Sequence, residues 1–250
     1  MISFTAEQRI LVTGASSGLG RAMALLLNSL GATVIASGRD IARLEDVRQA
    51  SVFPERCITE SRDLAADLDG LPAWVTDLRQ RFGKLYGLAF CAGRTWNIPL
   101  QTYNPSQAHL AFDLCCHAPL LVARGFSDRR NNIGPGANMV FLGAAAAVDP
   151  NAGQGMYGAA KAALVTAVRC LSKEIAPRGL RANCISPGLV DTPMMRATVE
   201  QLGEEFLARE RVFYPLGLGM PEDVAHLAAF LLSAKARWLT GQNILLSGGR

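Results

Sequence analysis

The chain contains no apolar run approaching the roughly 18 residues that a membrane-spanning helix needs. Its first residues lack a basic stretch followed by an apolar one, so no secretory leader is expected and a cytoplasmic location is. Lysine is scarce: Lys84, Lys161, Lys173 and Lys235 are the whole supply. The arginines are scattered rather than gathered into a basic run and the formal net charge is only +4, so nucleic acid is not an expected partner. The six cysteines, Cys57, Cys91, Cys115, Cys116, Cys170 and Cys184, show neither the short paired spacings of a metal site nor the density of a disulfide scaffold. They read as reduced thiols packed as small hydrophobes, with no metal expected. No Pro/Gly/Ser-rich linker, low-complexity tract or repeat divides the sequence, and residues 1–250 are expected to form one domain.

What is present is a strict alternation. Short apolar runs at Ile10–Val12, Thr33–Ala36, Cys57–Thr59, Gly87–Cys91, Met139–Leu142, Ala182–Ile185 and Ile244–Leu246 have strand length. Between them lie longer amphipathic stretches such as Leu19–Leu30, Ile41–Ala50, Leu71–Phe82 and Ser106–Arg124. Half the residues are hydrophobic, enough for strands buried on both faces. The pattern predicts an α/β fold: a three-layer, doubly wound, Rossmann-type parallel sheet of about seven strands with helices on both faces. Ligands are expected at the carboxyl ends of the strands, where strand order reverses. From Gly188 to Leu218 the alternation lapses, because Pro193, Pro215 and Gly217 break the helical pattern and no strand is evident. Residues 188–218 are therefore a candidate mobile lid over the substrate.

The segment Thr13-Gly14-Ala15-Ser16-Ser17-Gly18-Leu19-Gly20 follows the first strand and opens the first helix. Glycines there allow a tight turn and close approach of phosphate to backbone, while the helix N-terminus offers unpaired N–H groups and a positive dipole end. A dinucleotide site is the expected use. The second strand ends in Ser37-Gly38-Arg39, where such a site reads the adenosine ribose. An acidic group would accept from a 2′-OH and repel a 2′-phosphate; a guanidinium favours the phosphate. NADP is the expected cofactor and NAD the alternative.

The glycine pattern of Thr13–Gly20 resembles the TGxxxGxG fingerprint of the short-chain dehydrogenase/reductase family. The resemblance runs nearly the length of the chain, through Asp63, Cys91-Ala92-Gly93, Tyr157 with Lys161, Ser186-Pro187-Gly188 and Gly248-Gly249. It implies that Gly14, Ser16, Ser17, Gly18, Leu19 and Gly20 surround the phosphates and that Asp63 and Leu64 meet the adenine. It further implies that Ala92 and Gly93 pass close to a ribose and that Pro187, Gly188, Val190 and Thr192 hold the nicotinamide carboxamide. Tyr157-Gly158-Ala159-Ala160-Lys161 resembles the family's YxxxK element. Four residues apart on a helix, the two side chains share a face, so that Lys161 is expected to lower the phenol's pKa and reach the nicotinamide ribose while Tyr157 moves the substrate proton.

Two positions depart from the family. The serine that normally binds the substrate oxygen, thirteen residues before the tyrosine, is Ala144, and no serine lies between Ser127 and Ser172 to replace it. The asparagine that normally disturbs the fourth long helix and fixes a water behind the lysine is Cys115, and a thiol donates and accepts less well than an amide. Cys91 likewise stands for an asparagine with a backbone role. Losing one preorganised donor to a developing oxyanion typically costs about 10²–10³ in rate. His109 and His117 were weighed as substitutes; His117, two positions beyond Cys115, falls on another helical face, and His226 is expected to be structural or solvent-facing.

The resemblance thus implies an NAD(P)-dependent oxidoreductase acting on a hydroxyl or carbonyl of a small or acyl-thioester substrate, with Tyr157 and Lys161 as its weakened catalytic set. The alternative is an inactive subunit of the same fold supporting an active paralogue, and a cofactor-bound regulator is a third reading. Family members are dimers or tetramers, and either a homo-oligomer or a hetero-oligomer with a paralogue is expected here. The surfaces implied are Ser106–Arg124, Gly155–Ala176 and Pro221–Arg250. In the lid, Met194, Met195, Phe206, Leu207, Val212, Phe213 and Tyr214 suggest an apolar pocket wall. Arg178 matches a basic position of the family's ketoacyl-carrier-protein reductases, but a solvated surface arginine is the preferred reading.

Overall fold

The computed structural model describes all residues, Met1–Arg250. The apolar runs form seven strands: β1 (Arg9–Thr13), β2 (Thr33–Gly38), β3 (Cys57–Ser61), β4 (Gly87–Phe90), β5 (Asn138–Leu142), β6 (Arg181–Pro187) and β7 (Asn243–Leu246). They make one sheet in the order β3-β2-β1-β4-β5-β6-β7, with every pair parallel. Each residue of β4 and β5 is buried, which is why GLAF and NMVFL show no polar alternation. The chain winds outward from β1 to β3, then returns to lay β4 on the other side of β1. Thr13 and Phe90 pair at the carboxyl ends of those two strands, and the crevice of the reversal opens beyond them.

Helices α1 (Gly18–Ser29), α2 (Ile41–Ala50) and α9 (Pro221–Leu232) cover one face, and α3 (Leu71–Phe82), α5 (Ala118–Ser127) and α6 (Gly155–Ile175) the other. Met23, Leu27, Val224 and Leu231 belong to one apolar core, and Val75, Phe126, Leu164 and Phe141 to the second. Local chemistry sets the helix starts. Asp40 accepts from the Arg43 N–H at the head of α2, and Asp223 reaches back to the Met220 N–H at the head of α9.

Two expectations need correction. The helix read over Ser106–Arg124 is α4 (Pro105–Phe112), a wide π-turn over Asp113–His117, and α5. Pro119 supplies the reason: it has no N–H for the Cys115 carbonyl, and its ring crowds that carbonyl. The turn widens and the Ala118 N–H reaches Asp113, five residues back. The segment 188–218, expected to lack regular structure, holds α7 (Pro193–Leu202) and α8 (Glu204–Arg211). Pro193 begins α7 rather than breaking it, because the first helical position has no use for an N–H, and Thr192 caps the helix by accepting from the Met195 N–H. No helix is long and apolar enough to cross a membrane.

Helix α5 crosses α3 at Gly125, where an added Cβ would stand 2.9 Å from both Pro72 Cα and Val75 Cβ. Alanine gains about 0.8–1.0 kcal/mol of helix propensity over glycine, but overpacking a tight contact costs about 1–3 kcal/mol. Gly125→Ala is therefore expected to lower the urea midpoint of unfolding. A raised midpoint would show that the two helices separate freely.

Candidate functional site

The floor of the crevice is fastened by Thr13. Its Oγ1 accepts from the backbone N–H of Cys91 at 3.1 Å and of Ala92 at 3.2 Å, tying the loop after β4 to the end of β1. The next residue must be glycine. Gly14 has φ +66°, and a Cβ there would lie 2.8 Å from the Ala92 nitrogen. The chain then enters α1 through Ser17, whose side chain caps nothing, leaving the first-turn N–H groups directed at the crevice.

A cleft of about 390 Å³ runs from this loop to the ends of β2 and β3. Gly14, Ser16, Ser17, Gly18, Leu19, Gly20, Arg39, Asp63, Leu64, Ala92, Gly93 and Thr192 all border it. Gly38 is a close-approach position, since a Cβ there would meet Ser16 Oγ at 3.2 Å. No carboxylate could occupy it without displacing that hydroxyl. Two neighbours were not anticipated: Ser37 and Arg62. Ser37 Oγ and Arg62 Nε are buried without a hydrogen-bond partner, while Arg62 Nη2 pairs with Asp67 at 3.1 Å. Unpartnered buried donors at the border of a cleft suit an anionic ligand.

A second cavity of about 170 Å³ adjoins the first, and the two share Leu19, Cys91, Gly93, Arg94, Thr192 and Met194. Tyr157, Lys161, Ala144, Pro187, Gly188 and Val190 border it. Lys161 is buried, and its Nζ donates to the Leu142 carbonyl at 2.7 Å while standing 6.0 Å from the centre of the Tyr157 ring. Burial, and secondarily the Cys115 thiol, pushes the Tyr157 phenol above the ordinary tyrosine range. The expected lowering by Lys161 is thus not met in this geometry, because the ammonium is directed at a carbonyl rather than the phenol.

Ala144, Ala145 and Ala146 give the cavity an apolar side at the position where the family pattern has a hydroxyl. On the adjacent strand Ser186 donates to Asn243 Oδ1 at 2.7 Å and is fully buried, so it offers no substitute. Cys115 borders neither cavity. It lies buried in the π-turn with its thiol 3.7 Å from the Arg94 carbonyl, while Leu114 beside it reaches the cleft. Cys91 is packed against Met23, and burial pushes its thiol up to about 12. His109, His117 and His226 are exposed and remote from both cavities, with His117 held 3.0 Å from Asp113.

The outer wall combines the 188–218 segment with the last residue. Met194, Met195, Phe206 and Tyr214 border the cavity, whereas Val212 and Phe213 point to solvent and Leu207 is only half-buried away from it. Arg250 donates to Glu210 at 2.6 Å, Asn151 Oδ1 at 2.7 Å and the Tyr214 hydroxyl at 3.2 Å. Nothing in the sequence pattern identifies Arg250, Asn151 or Gln154 as cavity residues, because only the folded chain brings them to it. Thr13 could have been found, since it opens the glycine pattern.

A family model described as enoyl-(acyl carrier protein) reductase matches residues 14–250. The chain is 31% identical to a 3-oxoacyl-(acyl-carrier-protein) reductase of Rickettsia conorii, over 100% of this chain and 98% of that one. Among solved structures it is similar to a short chain dehydrogenase of Burkholderia cenocepacia in complex with NADP, with TM-score 0.87, 28% identity and 97% of each chain covered. It is also similar to L-sorbose reductase of Gluconobacter frateurii, complexed with NADPH and L-sorbose, at TM-score 0.88 and 26% identity over 100% of this chain and 98% of that one.

Thr13→Val keeps the shape of the side chain but removes the acceptor shared by two N–H groups. An unmet buried donor costs about 1–3 kcal/mol, so the variant is expected to melt several degrees lower, with Thr13→Ser close to the original. Equal melting of all three would mean that water takes over the hydroxyl's place.

Proposed function

Because this chain belongs to the short-chain dehydrogenase/reductase family of oxidoreductases, we propose that it moves hydride between NADP(H) and the hydroxyl or carbonyl carbon of a small or acyl substrate. The observation that carries this reading is the continuity of the two cavities: a nucleotide-sized cleft over a glycine loop leads directly to Tyr157 and Lys161. The residues present fit the cofactor. Gly14, Ser16, Ser17, Gly18, Leu19 and Gly20 would hold the phosphates, Asp63 and Leu64 the adenine, and Ala92 and Gly93 a ribose. Pro187, Gly188, Val190 and Thr192 would hold the carboxamide, and Lys161 the second ribose. At the adenosine end Arg39, the unpartnered Arg62 Nε and Ser37 Oγ suit a 2′-phosphate, and Gly38 leaves no acidic group to repel it.

The bound nicotinamide would supply the hydride and its two electrons to a carbonyl carbon, or accept them from an alcohol. Tyr157 donates the proton that completes the reduction. A phenol is protonated at neutral pH, the form that reduction consumes, and the upward shift by burial makes this one a weaker acid, in keeping with slow turnover. Lys161, with its Nζ 6.0 Å from the centre of the same ring, is directed at the Leu142 carbonyl and would reach the phenolate left behind only by turning from it. The Rickettsia relative is by its name a reductase of 3-oxoacyl thioesters on a carrier protein, so an acyl thioester is one substrate class, and the apolar wall of Met194, Met195 and Phe206 suits it.

A second reading, a subunit that supports a complete paralogue, is favoured by the apolar side at Ala144 and the withdrawn position of Cys115. In that reading α4 to α5, α6 and the region Pro221–Arg250 form the assembly surfaces.

Fluorescence titration is expected to show NADPH binding several-fold tighter than NADH, with the preference lost in Arg39→Ala; equal affinities in the unsubstituted chain would remove the 2′-phosphate argument. Turnover separates the two readings. The chain alone is expected to reduce an activated ketone slowly, with Tyr157→Phe inert, and co-expression with a paralogue should not raise its own contribution. A chain inert alone that raises a partner's rate would establish the supporting role.

A further inference from the structure

The cavity beside Tyr157 lacks a hydroxyl at Ala144, so some other group must meet the substrate oxygen if the chain turns over. Most polar side chains bordering it are already committed. Thr192 donates to the Val190 carbonyl and Thr198 to the Met194 carbonyl. Tyr214 accepts from the Leu189 N–H and from Arg250. Asn151 is engaged at both ends, by Glu210 at Nδ2 and by Arg250 at Oδ1. Lys161 donates to Leu142, and Asp149 carries only acceptors. Arg94 and Thr95 lie on the segment after β4, with Arg94 also bordering the nucleotide cleft and its guanidinium over Trp96.

Arg94, Thr95 and the Tyr214 hydroxyl thus keep donors of their own, but Gln154 alone among the free donors stands at the head of the helix that carries Tyr157. It is the residue from which α6 starts, three positions before Tyr157 and ten after Ala144, and it borders the same cavity as both. Its carbonyl accepts from the Gly158 N–H at 2.7 Å, fixing its backbone to the first turn. Its side-chain Oε1 accepts from the Asn151 N–H at 3.0 Å, which orients the amide and turns Nε2 away from that contact. Neither Nε2 hydrogen has a partner within the protein. This donor and Tyr157 border the same cavity.

We propose that Gln154 is the catalytic residue that takes over the missing hydroxyl's role, donating a hydrogen bond from Nε2 to the substrate oxygen as negative charge develops there. Carboxamides serve as donors to developing oxyanions as well as hydroxyls do. The balance of the reaction is unchanged: the carbonyl carbon gains hydride from the nicotinamide, the oxygen gains the Tyr157 proton, and Gln154 keeps both its hydrogens. The inference rests on the oxidoreductase reading.

The test is a double-mutant cycle with NADPH and ethyl acetoacetate, comparing the unsubstituted chain, Gln154→Leu, Ala144→Ser and the combination. Gln154→Leu is expected to lower kcat by about 10²–10³-fold, with the NADPH dissociation constant unchanged and the melting temperature lowered only by the loss of the Asn151 N–H acceptor, a loss that Gln154→Glu avoids. Gln154→Glu, which offers acceptors alone, should lower kcat as much. In the Ala144→Ser background the loss is expected to shrink to less than about tenfold, because a serine then supplies the donor. Unchanged kcat in Gln154→Leu overturns the proposal, as does an equal loss in both backgrounds or a fall in NADPH affinity or melting temperature that accounts for it. An unsubstituted chain that is inert while Ala144→Ser turns over overturns it too, yet leaves the hydride-transfer reading standing. Inert proteins throughout, with NADPH bound, overturn both.

Discussion

Strand order reverses between β1 and β4, so the loops leaving those two strands diverge and open a crevice between them. The Thr13 hydroxyl spans its floor and accepts from the first two N–H groups of the diverging loop. That contact decides how far Cys91, Ala92 and Gly93 stand from the glycine loop, and hence the width of the nucleotide cleft. Gly14 follows from it, since the pinned Ala92 backbone leaves no room for a side chain. Gly93 is less constrained: a Cβ there would lie 3.6 Å from Lys161 Nζ, an ordinary contact at the boundary of the two cavities. The asparagine-to-cysteine exchange at position 91 is tolerable for the same reason: backbone groups make the contact, and the thiol is free to pack against Met23.

The fold keeps the shape of a reaction centre more faithfully than its polarity. The π-turn over Asp113–His117 persists although its central residue is a cysteine, because Pro119 withholds the N–H that would close a regular turn. The thiol of Cys115 approaches the Arg94 carbonyl at 3.7 Å, a weak contact that holds position without relaying protons well. Lys161 turns to the Leu142 carbonyl at the end of β5. Backbone carbonyls thus satisfy groups that a fully polar centre would use for chemistry. The phenol, buried and without a neighbouring donor, stays in its acid form.

Much of this was legible in the sequence, for definable reasons. Helices α2 and α3 were read to the residue, because Asp40 and Gly70 precede them and polar or glycine residues follow. The central strands were legible as unbroken apolar runs because both their faces are buried, while the edge strands β3 and β7 are only partly buried. The split between α4 and α5 was not, because a π-turn inserts one residue without disturbing the amphipathic pattern enough to mark it. Pro193 was misjudged as a breaker, since proline ends a helix or begins one according to which neighbours cap it, and Thr192 caps this one. Ser37 and Arg62 escaped notice because their distinction is burial without a partner, which no local pattern encodes.

Asn151 shows how the substrate end depends on long-range geometry. Its side chain joins Arg250, the last residue, to Glu210 in α8, while its backbone N–H holds the Gln154 amide. These four residues come from the loop after β5, the head of α6, helix α8 and the far end of the chain. Buried charge pairs of this kind require all their partners at once, since removing one leaves the others unmet at a cost of several kcal/mol (about 3–5). The position of the lid helix and the orientation of the only uncommitted amide beside Tyr157 are therefore set by one junction.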